Sequence, residues 1–345
     1  MNQALNTLYV TTPGAYLRLE GETICVMIED KKRLQLPLHP LGAIVCFGGA
    51  AVSPALMAKC AEDGRTLVWM SRTGRFQARV EGPVSGNVLL RVSQHQLAQN
   101  AAGAAEIARA LLAGKLRNSR TLIMRAARDA RSDSDRAQLV NCAQQLRGSL
   151  RGLRAADTLD AMRGHEGSAA LSYFQALNNC IRADRRVDFA FVTRSRRPPM
   201  DRINALLSFV YALLLNDCVS ALEAVGLDPQ LGFLHVLRPG RPALALDLME
   251  EFRAPLADRL SVTLINLGQI TANDFERRES GAVLLNESGR RAVIAAYQTR
   301  KGETLAHPVL EETLQISVLI MIQARFMSRV VRGDMPAYVP FLSRG

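Results

Sequence analysis

The sequence predicts an α+β protein in which an N-terminal antiparallel β-rich domain is followed by a larger all-α domain. Short β-rich runs separated by glycine, proline and aspartate occupy roughly the first ninety residues. From about Gln96 onward, apolar residues recur with the helical period of about 3.6 residues. We therefore place a β-rich domain at residues 1–95 and a helical domain at residues 96–345.

The β-rich domain is expected to contain one helix among its strands. Ser53 is a good N-cap and Pro54 fits the first helical position, so a helix is predicted over residues 53–62. Turn residues such as Gly48-Gly49 and Thr73-Gly74 separate the β-rich runs, as is typical of an antiparallel sheet. The strands are predicted at residues 7–10, 15–20, 23–28, 43–47, 66–70 and 76–80.

The helical domain contains one segment that is apolar on most sides, residues 199–225, which we expect to be a central buried helix. A β-like run over residues 231–238 ends at the turn Pro239-Gly240. A hairpin is predicted from residues 281–285 and 292–296. The other helices are predicted at residues 101–116, 119–130, 135–153, 157–179, 242–267 with a bend at Pro255, and 308–331.

The charge of the chain favours an anionic partner. The formal net charge is +11, and only five of the 43 basic residues are lysines. Arginine binds phosphate through two oxygens at once, although a GC-rich genome also enriches arginine. A basic protein is attracted to nucleic acid, while the alternative is a solvated basic surface with no specific partner. Aromatic residues make up 5%, which disfavours base stacking on single strands and favours duplex DNA.

Cysteine spacing and hydropathy predict a soluble, cytoplasmic protein without a membrane partner. None of the six cysteines forms a CxxC pair, which favours buried free thiols in a reducing compartment. The N-terminus lacks the features of a signal peptide. The longest apolar segment, residues 203–215, is too short to span a bilayer. Phosphate-binding GxxxxGKS, Rossmann glycine and GxSxG patterns are absent from the sequence, which disfavours nucleotide-driven and serine-hydrolase chemistry.

Glu166 falls on the apolar stripe of its predicted helix. It follows Met162 by four residues and precedes Ala169 by three. A carboxylate that faces the core needs a cation, because unpaired burial costs several kcal/mol. That cation is either a metal ion or one of the arginines, and helix geometry favours neither. Gly164 and Gly167 flank Glu166, which indicates that a backbone or a ligand approaches closely.

His235 and the acidic residues after it form a second candidate cluster. A lone histidine in an apolar run is more often a hydrogen-bonded core residue than a ligand. Asp247 and Glu250 lie one helical turn apart, and neighbouring carboxylates repel unless a cation or proton lies between them. The turn at Pro239-Gly240 can bring His235 close to them. Carboxylate and imidazole ligands together suit Mn²⁺ or Mg²⁺, whereas the alternative is a solvated helix face.

Basic residues repeat at helical spacing between residues 109 and 163, as at Arg117 and Arg120. The commoner meaning of such a run is a solvated helix face. Phosphate tracking along duplex DNA explains the same spacing. On this second hypothesis, the residues expected to contact DNA are Arg91, Lys115, Arg120 and Arg163.

Six segments of the chain occur in an order that resembles the CRISPR-associated integrase family, the nuclease subunit of the spacer-acquisition complex. Each segment is only moderately specific, but their shared order is highly specific. The segments are residues 86–94, 163–170, 197–204, 232–235 and 244–253, with Asp274-Phe275 followed by Gly281.

The resemblance implies a β-rich domain for dimerisation and partner contact and a helical catalytic domain. It implies a metal-dependent DNA endonuclease and integrase that inserts short duplex fragments as spacers into a repeat array by 3′-hydroxyl transesterification. The family's glutamate and histidine ligands for Mg²⁺ or Mn²⁺ match Glu166 and His235. The third ligand, often an aspartate, matches Glu250. Asp247 competes for this role, and we expect it to support the site instead.

The resemblance also implies partners. The expected assembly is a homodimer that joins a small ferredoxin-like adaptation subunit in a heterohexamer on double-stranded DNA. One rival hypothesis is a stand-alone nuclease that uses the same site on branched DNA. Another is a non-catalytic basic DNA-binding protein, which leaves the position of Glu166 unexplained.

Overall fold

The computed structural model describes residues 6–82 and 88–343, and the chain divides into two units, Met1–Gly86 and Asn87–Gly345. Strands dominate the first unit and helices dominate the second. The predicted α+β class is therefore confirmed. Gly86 and Asn87, which begin one of the six family-like segments, lie outside the described residues.

The first unit is built from short strands and one helix. Its helix α1 (Pro54–Glu62) begins as predicted, because the Ser53 side chain accepts a hydrogen bond from the N–H of Leu56. The strands are β1 (Asn6–Val10), β2 (Tyr16–Glu20), β3 (Thr23–Ile28), β4 (Lys31–Pro37), β5 (Leu41–Phe47), β6 (Ala51–Val52), β7 (Thr66–Met70) and β8 (Phe76–Val80).

These strands form two mixed sheets, in the orders β1-β5-β7-β8 and β4-β3-β2-β6. The pairs β2/β3, β3/β4 and β7/β8 are antiparallel, as expected. The pairs β1/β5, β5/β7 and β2/β6 are parallel, which corrects the expectation of a purely antiparallel sheet. The β5–α1–β7 connection explains one of them, since a helical crossover returns the chain in the same direction.

The second unit is mostly helical. A π-helical turn, Arg253–Asp258, joins two of its helices and contains Pro255, the residue at which a bend was predicted. Two short hairpins pair β9 with β10 and β11 with β12. The elements are α2 (Val88–Gln99), α3 (Ala101–Asp129), α4 (Asp133–Ala155), α5 (Leu159–Leu177), α6 (Arg202–Ala224), α7 (Ala243–Phe252), α8 (Arg259–Asn266), β9 (Phe275–Arg277), β10 (Val283–Leu285), α9 (Glu287–Gly302), β11 (Thr304–Ala306), β12 (Thr313–Gln315) and α10 (Ile316–Val331).

Helix α3 is continuous where two helices were predicted. The break was placed near Asn118, a residue that often ends helices by bonding its own backbone. In the structure the Asn118 side chain is buried and donates instead to the carbonyl oxygens of Glu251 and Phe341, at 2.8 and 2.9 Å. A tertiary contact therefore removes the local competition that would interrupt the helix.

Two predicted β segments are wrong. Residues 231–238 form an irregular loop, because backbone N–H groups of this run donate to a side chain and not to another strand. Residues 292–296 lie inside α9, where the Asn286 side chain caps the helix by accepting from the N–H of Gly289. The sequence around Asn286 therefore starts a helix and not a hairpin turn.

Helix α6 packs against α7 and α10 in the second unit. Within the described residues, it is the single helix long and apolar enough to cross a membrane, which corrects the expectation that this segment is too short. Just over half of its most apolar stretch, 56%, is buried inside the structure. A core helix of a soluble protein has the same length and composition, so this feature is weak evidence for a membrane span.

Candidate functional site

The side chain of Lys115 lies between two carboxylates that come from different helices. Lys115 is on α3, which packs against α5 and α7. Its Nζ donates a hydrogen bond to Oε1 of Glu166 on α5 and lies 2.9 Å from Oε2 of Glu250 on α7. The Glu166 side chain is 30% exposed, whereas that of Glu250 is 3% exposed. The group therefore lies at the edge of the core and is accessible from one side.

Glu250 is charged although it is buried. Burial alone would raise its pKa, but the charges of Arg253 and Lys115 outweigh burial and lower the pKa to about 2. The Arg253 guanidinium lies 3.1 Å from Oε1 of Glu250. Oε2 has no hydrogen-bond partner among the described residues, so its contact with Lys115 is an ion pair only.

Asp247 holds His235 and the loop before it. Its fully buried carboxylate accepts four hydrogen bonds: Oδ2 from the N–H groups of Phe233 and Leu234, and Oδ1 from the N–H and Nδ1 of His235. The distances are 2.7, 3.0, 3.0 and 2.6 Å. Because Nδ1 carries the donated proton, the lone pair of the neutral imidazole is on Nε2. Nε2 lies 3.8 Å from Oε1 of Glu250 and faces the Lys115 group.

Three further contacts fix the same loop. The Arg163 guanidinium donates to the carbonyl oxygen of Leu234 at 2.7 and 3.2 Å. The buried Gln94 side chain donates to the carbonyl oxygens of Asp228 and Leu231, each at 2.9 Å. A Cβ atom added at Gly232 would lie 2.6 Å from Oδ2 of Asp247 and 2.7 Å from the Ala243 backbone. The close approach of loop and helix therefore requires glycine.

A buried layer supports Arg253. Asp258 accepts hydrogen bonds of 2.6 Å from the hydroxyl groups of both Tyr173 and Tyr211. The guanidinium of Arg253 stacks over the Tyr211 ring, 5.1 Å from its centroid. The residues of this layer were not predicted from the sequence, although aspartate and arginine inside an apolar helical run are a signal for buried pairing.

The other residues singled out from the sequence have different positions. A Cβ atom at Gly164 or Gly167 would meet no described atom within 4 Å, so no part of the described chain packs closely there. Arg91 is half-buried on α2, and Arg120 is half-buried on α3 with its Nε unpaired. Lys115 and Arg163 contact protein groups in the structure. A DNA contact for these four basic residues stays a prediction.

The residues around Lys115 fit a divalent cation by their chemistry. In the described part of the chain, no three histidine, cysteine or acidic side chains lie in an arrangement that could hold a metal ion. The Lys115 ammonium lies between the two carboxylates of the cluster. Glu166, Glu250 and His235 nevertheless supply two carboxylates and one imidazole, a ligand set that suits Mn²⁺ or Mg²⁺. The unpaired Oε2 of Glu250 and the carboxylate behind His235 are both features of metal sites.

A group of arginines lies beside this cluster. Burial and the charges of Arg238, Arg196 and Arg197 lower the pKa of Arg241, while Asp247 raises it. The other three guanidinium groups are therefore close enough to repel that of Arg241. An anion bound among them would relieve this repulsion, so this side of the site favours phosphate groups.

The sequence of the chain matches a known protein family and its members. Residues 8–299 match the family described as CRISPR associated protein Cas1. A relative from Moorella thermoacetica (strain ATCC 39073 / JCM 9320), CRISPR-associated endonuclease Cas1 1, is 50% identical over 344 residues, with 100% of both chains covered.

Solved structures share the fold at lower identity. A casposase bound to integration product has a TM-score of 0.82 and 18% identity over 97% of this chain and 93% of that chain. A chain of a Cas6-RT-Cas1–Cas2 complex has a TM-score of 0.84 and 22% identity over 100% of this chain and 37% of that chain. At these identities the likeness shows a common fold.

We predict that Gly232→Ala separates the loop from α7. The added methyl group would overlap the Asp247 carboxylate and the Ala243 backbone, so the free energy of unfolding should fall by about 1–3 kcal/mol. Gly148→Ala on α4 is the control, since its Cβ meets nothing within 4 Å and should be neutral or stabilise by up to about 1 kcal/mol. Urea denaturation measures both variants. Equal stability of the two would contradict the close approach at Gly232.

Asp247→Asn is expected to destabilise the protein by about 1–3 kcal/mol, because one amide NH₂ would face donors that now bond a carboxylate oxygen. Asp160→Asn is the control, since that side chain is 91% exposed and should change stability by less than about 0.5 kcal/mol. Thermal denaturation at equal ionic strength checks both values. A neutral Asp247→Asn variant would show that the loop is held by other contacts.

Proposed function

The chain belongs to the Cas1 family of CRISPR-associated proteins, and from this premise we propose that it is a divalent-metal-dependent DNA endonuclease and integrase of CRISPR adaptation. Its 50%-identical relative is an endonuclease by name, which supports nuclease chemistry over the full length of the chain. We propose further that it joins short duplex fragments to a repeat array as new spacers.

One observation carries this proposal. Glu166, His235 and Glu250 come from α5, a loop and α7. The Lys115 ammonium lies between the two carboxylates, and Nε2 of His235 lies 3.8 Å from Glu250. Two carboxylates and an imidazole this close together are suited to bind a divalent ion, and Glu166, whose side chain is 30% exposed, gives a large substrate access to it.

We assign metal binding to Glu166, His235 and Glu250, with Mg²⁺ or Mn²⁺ as the ion. When bound, the ion supplies positive charge at the phosphoryl group and at the attacking and leaving oxygens. Asp247 does not need to bind the ion, since its four acceptor positions are already filled by the loop and by Nδ1 of His235. Its role is to orient the imidazole so that Nε2 faces the site.

The reaction that we propose is a transesterification. The 3′-hydroxyl oxygen of the incoming fragment attacks a phosphorus atom at the edge of the repeat. One P–O bond forms, the P–O bond to the leaving 3′ oxygen breaks, and the proton of the attacking hydroxyl passes to the leaving oxygen. The number of phosphodiester bonds is unchanged, so joining needs no nucleotide cofactor. We propose that Arg241 and the arginines whose charges lower its pKa bind the phosphates that flank the reacting one.

The proposed partners follow from the family. The similar chain of known structure belongs to a Cas1–Cas2 complex, and the similar casposase is bound to an integration product. We propose that this chain binds double-stranded DNA, forms a homodimer and joins a small ferredoxin-like adaptation subunit in a heterohexamer. Two linked active sites would join both ends of one fragment. Six free, buried cysteines support action in the reducing cytoplasm.

Glu166→Gln tests the metal site. The substitution keeps the size of the side chain but removes its charge, so cleavage and strand transfer in Mn²⁺ should fall on the order of a hundredfold or more. Binding of the DNA duplex, measured by fluorescence anisotropy, should change less than about threefold, because phosphate contacts come from other residues. Glu106→Gln, an exposed glutamate on α3, is the control and should retain activity. Full activity of Glu166→Gln would overturn the proposed site.

Comparing joining with hydrolysis separates an integrase from a stand-alone nuclease. The substrates are a labelled fragment with a free 3′-hydroxyl and a supercoiled plasmid that contains a repeat, incubated with the partner subunit and Mn²⁺. An integrase should convert the label into plasmid-sized product, and a 3′-deoxy fragment should give none. Labelled plasmid that is only cut, together with preferential cutting of branched DNA, would favour the rival hypothesis.

A further inference from the structure

The proposed metal site already contains a cation of its own chain. Among the described residues, the ammonium of Lys115 bonds only to the carboxylates of Glu166 and Glu250, which are also two of the three proposed ligands. The Lys115 side chain is 14% exposed, and its flexible stem reaches the site from α3. Lys115 therefore stands between groups that a metal ion would have to approach.

The two cations of the cluster are held in different ways. Arg253 is stacked on Tyr211 and belongs to the π-helical turn after α7, so its position is fixed by the core. Lys115 has no comparable second anchor among the described residues, since its ammonium contacts carboxylates alone. Lysine can therefore withdraw without breaking another hydrogen bond, whereas Arg253 cannot leave its ring partner.

The net charge of the cluster becomes more negative by one if the Lys115 ammonium withdraws. Glu166, Asp247 and Glu250 carry three negative charges, and Lys115 and Arg253 carry two positive charges, which leaves a net charge of −1 with His235 neutral. Without the Lys115 ammonium the net charge is −2. One divalent ion balances this charge, which matches the valence of the proposed cofactor.

We propose that Lys115 is an internal substitute for the metal ion. In the ion-free protein it holds Glu166 and Glu250 together, and the incoming divalent ion displaces its ammonium from between them. The inference rests on the proposed metal site and adds a positioning residue to it. It follows that the ion and the ammonium compete for the same carboxylates, so the side chain of Lys115 lowers the affinity of the site for the ion.

Lysine footprinting of the wild-type protein tests the displacement directly. The chain has five lysines, so modification by an acetylating reagent can be followed at each one by mass spectrometry. Lys115 should react slowly without metal, because both carboxylates cover its ammonium. Saturating Mn²⁺ should increase its rate of modification at least about fivefold, within the range of typical coupling between two ligands.

Lys301 is the internal control for this experiment. Its side chain is buried to a similar extent, 11% exposed, and its ammonium lies 2.8 Å from Asp217, which is not one of the proposed ligands. Its modification should not respond to Mn²⁺, and the exposed Lys31 should react equally in both conditions. Free Mn²⁺ is measured in the same samples by electron paramagnetic resonance. Bound Mn²⁺ without faster modification of Lys115 would overturn the displacement, whereas no bound Mn²⁺ would overturn the proposed metal site.

Substitutions test the competition. Lys115→Met removes the ammonium and should tighten Mn²⁺ binding at least about fivefold, while Lys115→Arg keeps a competing charge and should not tighten it. Lys301→Met is the matched control: it also loses a buried ion pair, but Mn²⁺ affinity should stay at the wild-type value. Lys115→Met can fail to fold. The lysine modification of the wild-type protein, with and without Mn²⁺, tests the displacement without this variant. Equal Mn²⁺ affinity of wild type and a folded Lys115→Met would contradict it.

Discussion

Three carboxylates on the ten-residue helix α7 are almost completely removed from water: Asp247, Glu250 and Glu251. Burial of an ionisable side chain is costly unless donors or cations surround it. Each of the three has a different set of partners, and each set recruits a different part of the second unit. The geometry of the site follows from how these three charges are satisfied.

The adjacent residues Glu250 and Glu251 show that the groups around a buried carboxylate determine its pKa. Cations surround Glu250, and its pKa falls to about 2. Glu251 is the next residue, but burial raises its pKa to about 7, because its partners are the neutral donors Tyr338, Gln323 and the N–H of Phe341. The face with Glu250 thus keeps a negative charge. On the other face of α7, the hydrogen bonds of Glu251 connect this helix to α10 and to the chain that follows α10.

Patterns in the sequence predict these features unequally. Glu166 is recognisable because helical periodicity alone places it on an apolar stripe, and α1 is recognisable because Ser53 and Pro54 are local signals. The loop at residues 231–238 reads as a strand, since its apolar run carries no sign that Asp247 takes its backbone hydrogen bonds. Lys115 was assigned to DNA as one basic residue among many. Its position between two carboxylates depends on the packing of α3 against α5 and α7, which spacing along the chain does not encode.

The hydrogen bonds of Asp247 and Glu250 also distinguish these two candidates for the third metal ligand. Their spacing in the sequence does not. Asp247 and Glu250 are one turn apart and equally buried, so burial does not distinguish them. Every oxygen of Asp247 accepts two hydrogen bonds, and a metal ion could bind it only by breaking contacts that hold the loop. Glu250 has one oxygen without a hydrogen bond among the described residues, and its contacts with Lys115 and Arg253 are ion pairs. The residue that is incompletely satisfied by the protein is the one that can bind a ligand at low cost, which is why we assign the ion to Glu250 and the support of His235 to Asp247.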